Sequence, residues 1–269
     1  MGIAELLSTA LQWLVARMSQ QVVVTRVVGP LGEDLVGALD LYERRLPENE
    51  RDSIDNIVRW QAEFEAGVKD NRTKFDDYLL IAKCGGQVCG LLYAQYYHRT
   101  RLLLVSYLIS DDRIPQKHRI VPAIRKKLAT ILKTELAACA GIVFELEHPD
   151  FSKRPRRCRG RQRLFTALAL EMGMVVKRLG IDYKQPRLSL WDPSYSEEPQ
   201  VLMYARRRAP ALDDSIPKGE VVHILDTLYN SWYGDCYEDN TERDSEYRAY
   251  LRSLFQNTVS QMPDRVPLM

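Results

Sequence analysis

Residues 101–132 read RLLLVSYLISDDRIPQKHRIVPAIRKKLATIL. The segment opens with an apolar run of strand length, and from Pro122 onward Ile124, Leu128, Ile131 and Leu132 recur at helical spacing. Proline has a fixed φ and no N–H, so it suits the first helical position, and the pattern predicts a helix over 122–138. Between strand and helix lies a basic turn containing Lys117, His118 and Arg119. A strand feeding a helix through such a turn is a common phosphate-binding arrangement. The first N–H groups of a helix lack partners, and the dipole is positive at that end. This turn has no glycine, and side chains in its place obstruct approach of the backbone to a phosphate. Two readings follow. Either Lys117, His118, Arg119 and Arg125 hold a phosphate by charge-assisted bonds, or they form a solvated basic helix end.

Outward from this segment the hydrophobic period alternates between two and about 3.6. QVVVTRVV (21–28) reads as a strand, and GEDLVGALDLYERRL and RDSIDNIVRWQAEFEAGV read as two helices broken at Pro47. DYLLIAKC and VCGLLYAQYY are strands joined by the Gly85-Gly86 hairpin signal, with the 102–110 strand as their antiparallel neighbour. GIVFELE (141–147) is a further strand, RCRGRQRLFTALALEM a helix, and MVVKRLGI and QVLMYARR two last strands flanking a Pro-rich loop. The order predicts an α+β (α/β) fold: a mixed, mainly antiparallel sheet with helices on both faces. An amphipathic N-terminal helix (1–20), a main domain (21–208) and a C-terminal helical extension (209–269) complete the organisation. The extension is predicted to form helices at 221–232 and 244–259, packed on the main domain or on a dimer partner.

This element order, with LYERRLPENERDSIDNIVRW, YLLIAKCGGQVCGLLYAQYY, LLLVSYLIS, GIVFELEHP, RCRGRQRLF and DYKQPRLS, resembles the GCN5-related N-acetyltransferase (GNAT) superfamily over about residues 20–208. The resemblance implies an acyl-CoA co-substrate, acetyl-CoA or another acyl-CoA, with no metal. Its pantetheine arm would bond the backbone at the splayed end of the fourth strand, here Leu108, Ile109 and Ser110. The superfamily's pyrophosphate signature is Gln or Arg, two residues, Gly, one residue, Gly. Gln116 matches its first position, but Arg119 and Val121 occupy the glycine positions. A second register from Arg113 puts Gln116 and His118 there instead. The resemblance therefore implies a weakened or rebuilt phosphate site.

A denser basic run, KRPRRCRGRQR (153–163), includes Arg157, Arg159 and Arg161. By resemblance it lies near the 3′-phosphate end of CoA, with Arg157 and Arg159 as candidate contacts. A nucleic-acid patch and a solvated, partly ion-paired loop are the other readings. The run has no interleaved aromatic residue on which bases would stack.

Acyl transfer to an amine needs a base for the amine proton and a donor for the departing thiolate. Glu145 and Glu147 lie two apart in a strand and so share one face. The resemblance puts the acceptor cleft at the end of that strand, making Glu147 or Glu145 the candidate base. The alternative is that both pair with arginines of the following helix. Many members of the superfamily carry a tyrosine on the last helix, whereas LFTALALEMG offers only Phe165. Tyr107 and Tyr183 are the substitutes.

Composition sets the remaining bounds. The 269 residues carry a formal net charge of +2, so no global imbalance calls for nucleic acid or an anionic membrane. Five scattered cysteines without a C-x-x-C pair argue against a disulfide framework or a zinc site and suit a reducing cytoplasm. The N-terminal stripe Ile3, Leu6, Leu7, Ala10, Leu11 and Leu14 predicts packing on the protein body or on a second copy in a homodimer, without membrane contact. Two function classes result. One is an acyl-CoA-dependent N-acyltransferase acting on an amine acceptor, which a small molecule, a protein or an aminoacyl-tRNA would each satisfy. The other is a catalytically silent GNAT-like protein that binds a partner or ligand.

Overall fold

Strands β2 (Phe75–Cys84) and β3 (Gln87–Tyr97) form the hairpin read from Gly85-Gly86. Cys84 faces Gln87 across a two-residue turn whose glycines have φ of 56° and 84°, the left-handed region that such tight hairpin turns require. A computed structural model of the chain describes residues 21–27, 32–46, 54, 57–58, 75–115, 117–148, 150, 155–188, 190–191, 196–207, 214–235 and 242–269. The predicted N-terminal helix, most of the second helix at 51–68, and Gln116 lie outside the described residues.

The other elements are β1 (Val22–Arg26), α1 (Glu33–Arg45), β4 (Leu102–Ser110), α2 (Lys117–Thr134), β5 (Gly141–Glu147), α3 (Pro155–Glu171), β6 (Met174–Arg178), β7 (Tyr183–Gln185) and β8 (Glu198–Arg207). Then follow β9 (Ser215–Pro217), α4 (Lys218–Asp226), a π-helical segment (Thr227–Trp232), a short turn (Tyr233–Asp235), α5 (Glu242–Gln261) and β10 (Arg265–Pro267). The main sheet runs β1-β2-β3-β4-β5-β8-β6, with β7 also on β8. It is the mixed, mainly antiparallel sheet the sequence predicts, and its parallel pair is β4–β5. The short strands β7, β9 and β10 lack the length to show a period and escape a reading by pattern.

Alternation along the strands divides the core in two. Leu80, Leu92, Leu103, Ile142, Phe144 and Met203 face α2 and α3, which contribute Ile120, Ile124, Leu128, Phe165 and Leu168. Leu79, Ile81, Leu91, Leu104, Val143 and Leu202 face α1 and the C-terminal helices, with Leu41, Tyr42, Leu225, Tyr229 and Tyr247 among the covering residues. The extension thus packs on a sheet face. It is tied there by hydrogen bonds from Tyr229 to the Lys184 carbonyl (2.7 Å) and from Tyr247 to the Arg187 carbonyl (2.8 Å).

Helix α2 corrects one expectation. It starts at Lys117, with Pro122 inside it, and ends at Thr134. Ile120 is fully buried in line with Ile124 and Leu128, and such a side chain stabilises by about 1.5–3 kcal/mol when it leaves water. Starting at Pro122 would give up that contact, whereas proline in the sixth position removes only the bond to the His118 carbonyl near an exposed helix end. Gly90 makes the seat: a Cβ there would lie 2.3 Å from Ile120 Cγ2, so the helix start comes down onto bare β3 backbone. Among the described residues no helix is long and apolar enough to cross a membrane.

Candidate active site

The parallel pairing of β4 and β5 covers only Leu102–Val105 against Gly141–Phe144. Its end coincides with a bulge in β4. Tyr93 pairs with Tyr107 and Ala94 with Val105, so Ser106 is an extra residue with no counterpart on β3. A bulge bends its strand and increases the local twist, and from here β4 and β5 diverge. A cleft of about 340 Å³ opens between them, lined by Ser106–Ser110 on one side and Glu145–Glu147 on the other. Arg45, Arg161, Trp232 and Tyr233 contribute to its walls. Past Val105, the β5-facing edge of β4 has no strand partner among the described residues. A sheet edge of this kind is where an extended, amide-bearing ligand adds by backbone hydrogen bonds.

The turn after β4 holds its shape with ion pairs in place of glycines. The Asp111 N–H donates to the Cys89 carbonyl at 2.8 Å. Arg113 folds back on the Asp111 carboxylate through its own N–H (3.0 Å), Nε (3.0 Å) and Nη2 (2.7 Å). From the last turn of α1, Arg44 reaches Asp111 at 3.4 Å and Arg45 reaches Asp112 at 2.7 Å. The Arg45 bond holds the Asp112 carboxyl below the usual carboxylate range. Among its described residues no φ is positive, so this path does not itself call for glycine. Lys117, His118 and Arg119 are exposed on the first turn of α2. Arg125 does not join them: its Nη2 donates to Glu171 of α3 at 2.7 Å, which turns it toward the neighbouring helix.

Alternation carries Glu145 and Glu147 to the same face, and their surroundings differ. Glu145 accepts a bond from the Tyr183 hydroxyl on one oxygen and from the Tyr233 hydroxyl on the other, the latter at 2.8 Å. Glu147, at the strand end, has Arg161 Nη1 at 3.6 Å, and both side chains are about 30% exposed (29% and 30%). The alternative of arginine pairing thus applies to Glu147, whereas Glu145 is held by tyrosines. Tyr183 is buried, and burial first and the Glu145 charge second push its hydroxyl well above the ordinary tyrosine range. A hydroxyl so held gives up its proton reluctantly, and Tyr183 serves Glu145 rather than a leaving group. Tyr107 does line the cleft, edge-on to Tyr42 with ring centroids 5.0 Å apart and stacked on Tyr93 at 6.5 Å.

Of the other predicted residues, Leu108, Ile109 and Ser110 line the cleft. In the basic run, Arg161 reaches the cleft, whereas Arg159 is exposed and the Arg157 side chain lies outside the described residues. Sequence reasoning missed Ser106, Trp232, Tyr233 and the Gln200–Gln185 pair (2.8 Å) among the lining residues. Ser106 did leave a signal, as a polar residue inside the run Leu102–Val105 and Tyr107–Ile109. Tyr233 left none, since it meets Glu145 from 88 residues away.

No protein-family model matches this chain, and no curated protein is significantly similar to it. Solved structures are similar in fold. One is a Bacteroides thetaiotaomicron protein assigned to the GNAT acetyltransferase family, with a TM-score of 0.47 at 16% identity, over 77% of this chain and 97% of that one. Another is the dodecameric spermidine N-acetyltransferase of Vibrio cholerae, with a TM-score of 0.44 at 10% identity, over 70% and 94% of the two chains. A third is a Bacillus subtilis acetyltransferase solved with CoA, with a TM-score of 0.41 at 10% identity, over 70% and 100%. What the cleft can do is read from its own residues.

Proposed function

We propose that this protein is an acyl-CoA-dependent N-acyltransferase. The observation that carries the reading is the splay at Ser106, which leaves the edge of β4 at 106–110 facing two carboxylates across the cleft. A pantetheine arm is an extended chain with two amides, and such a chain adds to a strand edge by backbone hydrogen bonds. Laid along 110 to 107, it carries its thioester to the vertex of the splay, next to β5. Lys117 and Arg119 on the first turn of α2 then supply cations for the phosphates at the other end.

At the vertex the acceptor amine must lose a proton as its nitrogen attacks the thioester carbon. Glu147 is the base in this reading. Both oxygens of Glu145 already accept tyrosine hydroxyls, so a proton arriving there would displace a donor. Glu145 is a fixed anion that favours an ammonium group entering the cleft. Attack forms the C–N bond, the C–S bond breaks, and the electron pair leaves on sulfur as the CoA thiolate.

A second reading, a silent binder of extended chains, draws on Asp111 and Asp112, two carboxylates at the end of β4 where a pyrophosphate would lie. Calorimetric titration with acetyl-CoA and with desulfo-CoA, alongside thermal shifts, separates the two. Saturable binding of both supports the acyltransferase. Absence of any CoA binding leaves the silent binder in its place.

A further inference from the structure

Helices α2 and α3 lie side by side on one face of the sheet. Their sequences hold eleven lysines and arginines between them and a single acidic residue, Glu171. The two helices thus sum to +10 while the whole chain stands at +2, so everything outside them sums to −8. Residues 209–269, whose helices cover the opposite face, hold eleven acidic residues against five lysines and arginines. Charge is therefore segregated across the sheet of a nearly neutral protein. Cations gathered in one layer repel one another, and a bound anion relieves that repulsion.

Few of these cations are neutralised within the protein. Arg125 is paired with Glu171 at 2.7 Å and Arg161 with Glu147 at 3.6 Å. Lys117, Arg119, Lys126, Lys133, Arg159 and Arg163 are exposed, and none of them makes an ion pair among the described residues. Arg119, Lys126 and Lys133 recur every seven residues, close to two turns, and so form one stripe along α2. The phosphates of an acyl-CoA at the first turn would meet only the beginning of this stripe. At the rise of an α-helix, Lys126 and Lys133 lie about 10 and 21 Å beyond Arg119, and neither lines the cleft. A row of that length matches an anion whose charges repeat along a line.

The rest of the layer selects among such anions. Leu170 is the one large apolar side chain exposed on the described part of these helices, too little to insert into a bilayer beside the cations. Their single aromatic residue, Phe165, is buried, so unstacked bases find no platform. A double helix, with its phosphates outermost and its bases stacked, needs none. Both helices are seated lengthwise on the sheet, by Ile120, Ile124 and Leu128 of α2 and by Phe165 and Leu168 of α3. Neither can therefore enter a major groove as a DNA-reading helix does. A flat basic layer suits an RNA duplex, which is recognised by shape and by phosphate and 2′-hydroxyl contacts across a wide, shallow minor groove. Thr130 and Gln162, exposed among the cations, add polar groups for such contacts. We propose that the α2–α3 layer is a docking surface for double-helical RNA. This surface is independent of the acyl-CoA reading.

The test uses the full chain and a fluorescent RNA duplex of about 20 base pairs, read by anisotropy at salt concentrations between about 50 and 200 mM. Wild-type binding weakens steeply as salt rises, because counterions are released from the duplex. Lys126→Glu with Lys133→Glu lowers the RNA affinity at least about tenfold and the salt slope by about two, one for each lost phosphate contact. Its thermal midpoint stays at the wild-type value. Should the reversals lower the midpoint, Lys126→Gln with Lys133→Gln reads the same loss of slope without added repulsion. Absence of RNA binding at about 50 mM salt overturns the proposal, as does binding unaltered in both double variants. So does a DNA duplex of the same sequence, poly-L-glutamate or phosphatidylserine vesicles bound as tightly as the RNA. Self-association of the wild type in sedimentation, lost in the double variant while RNA goes unbound, would put the acidic extension of a second copy on the layer instead. None of these measurements contains CoA, so failure of the protein to bind CoA removes the acyl-CoA reading alone.

Discussion

Asp77 on β2 and Glu145 on β5 are carboxylates on the same face of one sheet, each accepting a tyrosine hydroxyl at 2.8 Å, from Tyr93 and Tyr233 respectively. Asp77 also takes Gln95 Nε2 at 2.8 Å, is 4% exposed, and does not line the cleft. Burial raises its pKa to about 6, with the bonds from Gln95 and Tyr93 opposing the rise. The two sites are close in kind and even share a wall. Tyr93, the cap of Asp77, stacks on Tyr107 and lies 6.4 Å from Trp232, and both of these line the cleft. What separates them is the continuity of the ladder. Beside Asp77, β2 and β3 pair without a break from Phe75 to Ala82, whereas beside Glu145 the pairing of β4 and β5 has stopped. A sheet carboxylate becomes available for chemistry where a bulge ends the pairing next to it.

The largest expected effect breaks the open side of this comparison. Glu147→Gln keeps size and a hydrogen-bonding oxygen, so folding and acetyl-CoA affinity stay near wild type. Turnover with an acceptor found by screening amines falls at least about tenfold, and by about 100- to 10,000-fold where the general base contributes in full. Unchanged turnover would take Glu147 out of the mechanism.

Next comes Asp77→Asn, on the closed side. The unfolded aspartate ionises near its ordinary 3.8 and the folded one near 6. Stability is therefore full below about pH 4, falls between pH 4 and 6 as the unfolded chain loses this proton first, and is level above that range. The loss amounts to roughly 3 kcal/mol for about two pKa units. Asparagine removes it, so the variant's thermal midpoint should exceed wild type at pH 7 and converge with it at pH 4. Parallel profiles at both pH values would count against an ionisable Asp77 as the cause.

The two tyrosine caps sharpen the contrast. Tyr233→Phe and Tyr93→Phe each remove one hydrogen bond to a carboxylate, at a cost of about 1.5 kcal/mol by urea unfolding. Only Tyr233→Phe should also change acetyl transfer, because its carboxylate lines the cleft. Equal effects on activity would erase the distinction between the sites. The smallest effect belongs to the phosphate end. Lys117→Ala with Arg119→Ala should weaken CoA binding by no more than about tenfold, these being exposed charges, and should flatten its salt dependence. A Kd for CoA independent of both residues and of salt would remove the first turn of α2 from the site.

Much of the frame was legible in the sequence because local rules govern it. The Gly85-Gly86 turn marks a hairpin by its backbone conformation, β5 shows its limits at 141–147, and the period of two places Glu145 and Glu147 together whatever surrounds them. Tertiary structure decided the rest, since each missed feature is a relation between distant segments. The start of α2 at Lys117 depends on Ile120 meeting Gly90, thirty residues earlier, against the local preference of Pro122 for a first turn. Ser106 is a bulge only relative to β3, because register is a property of a pair of strands and neither carries it alone. Tyr183 and Tyr233 meet at Glu145 from 38 and 88 residues away. Periodicity tells which way a side chain points. Which group it meets follows only from how the faces pack.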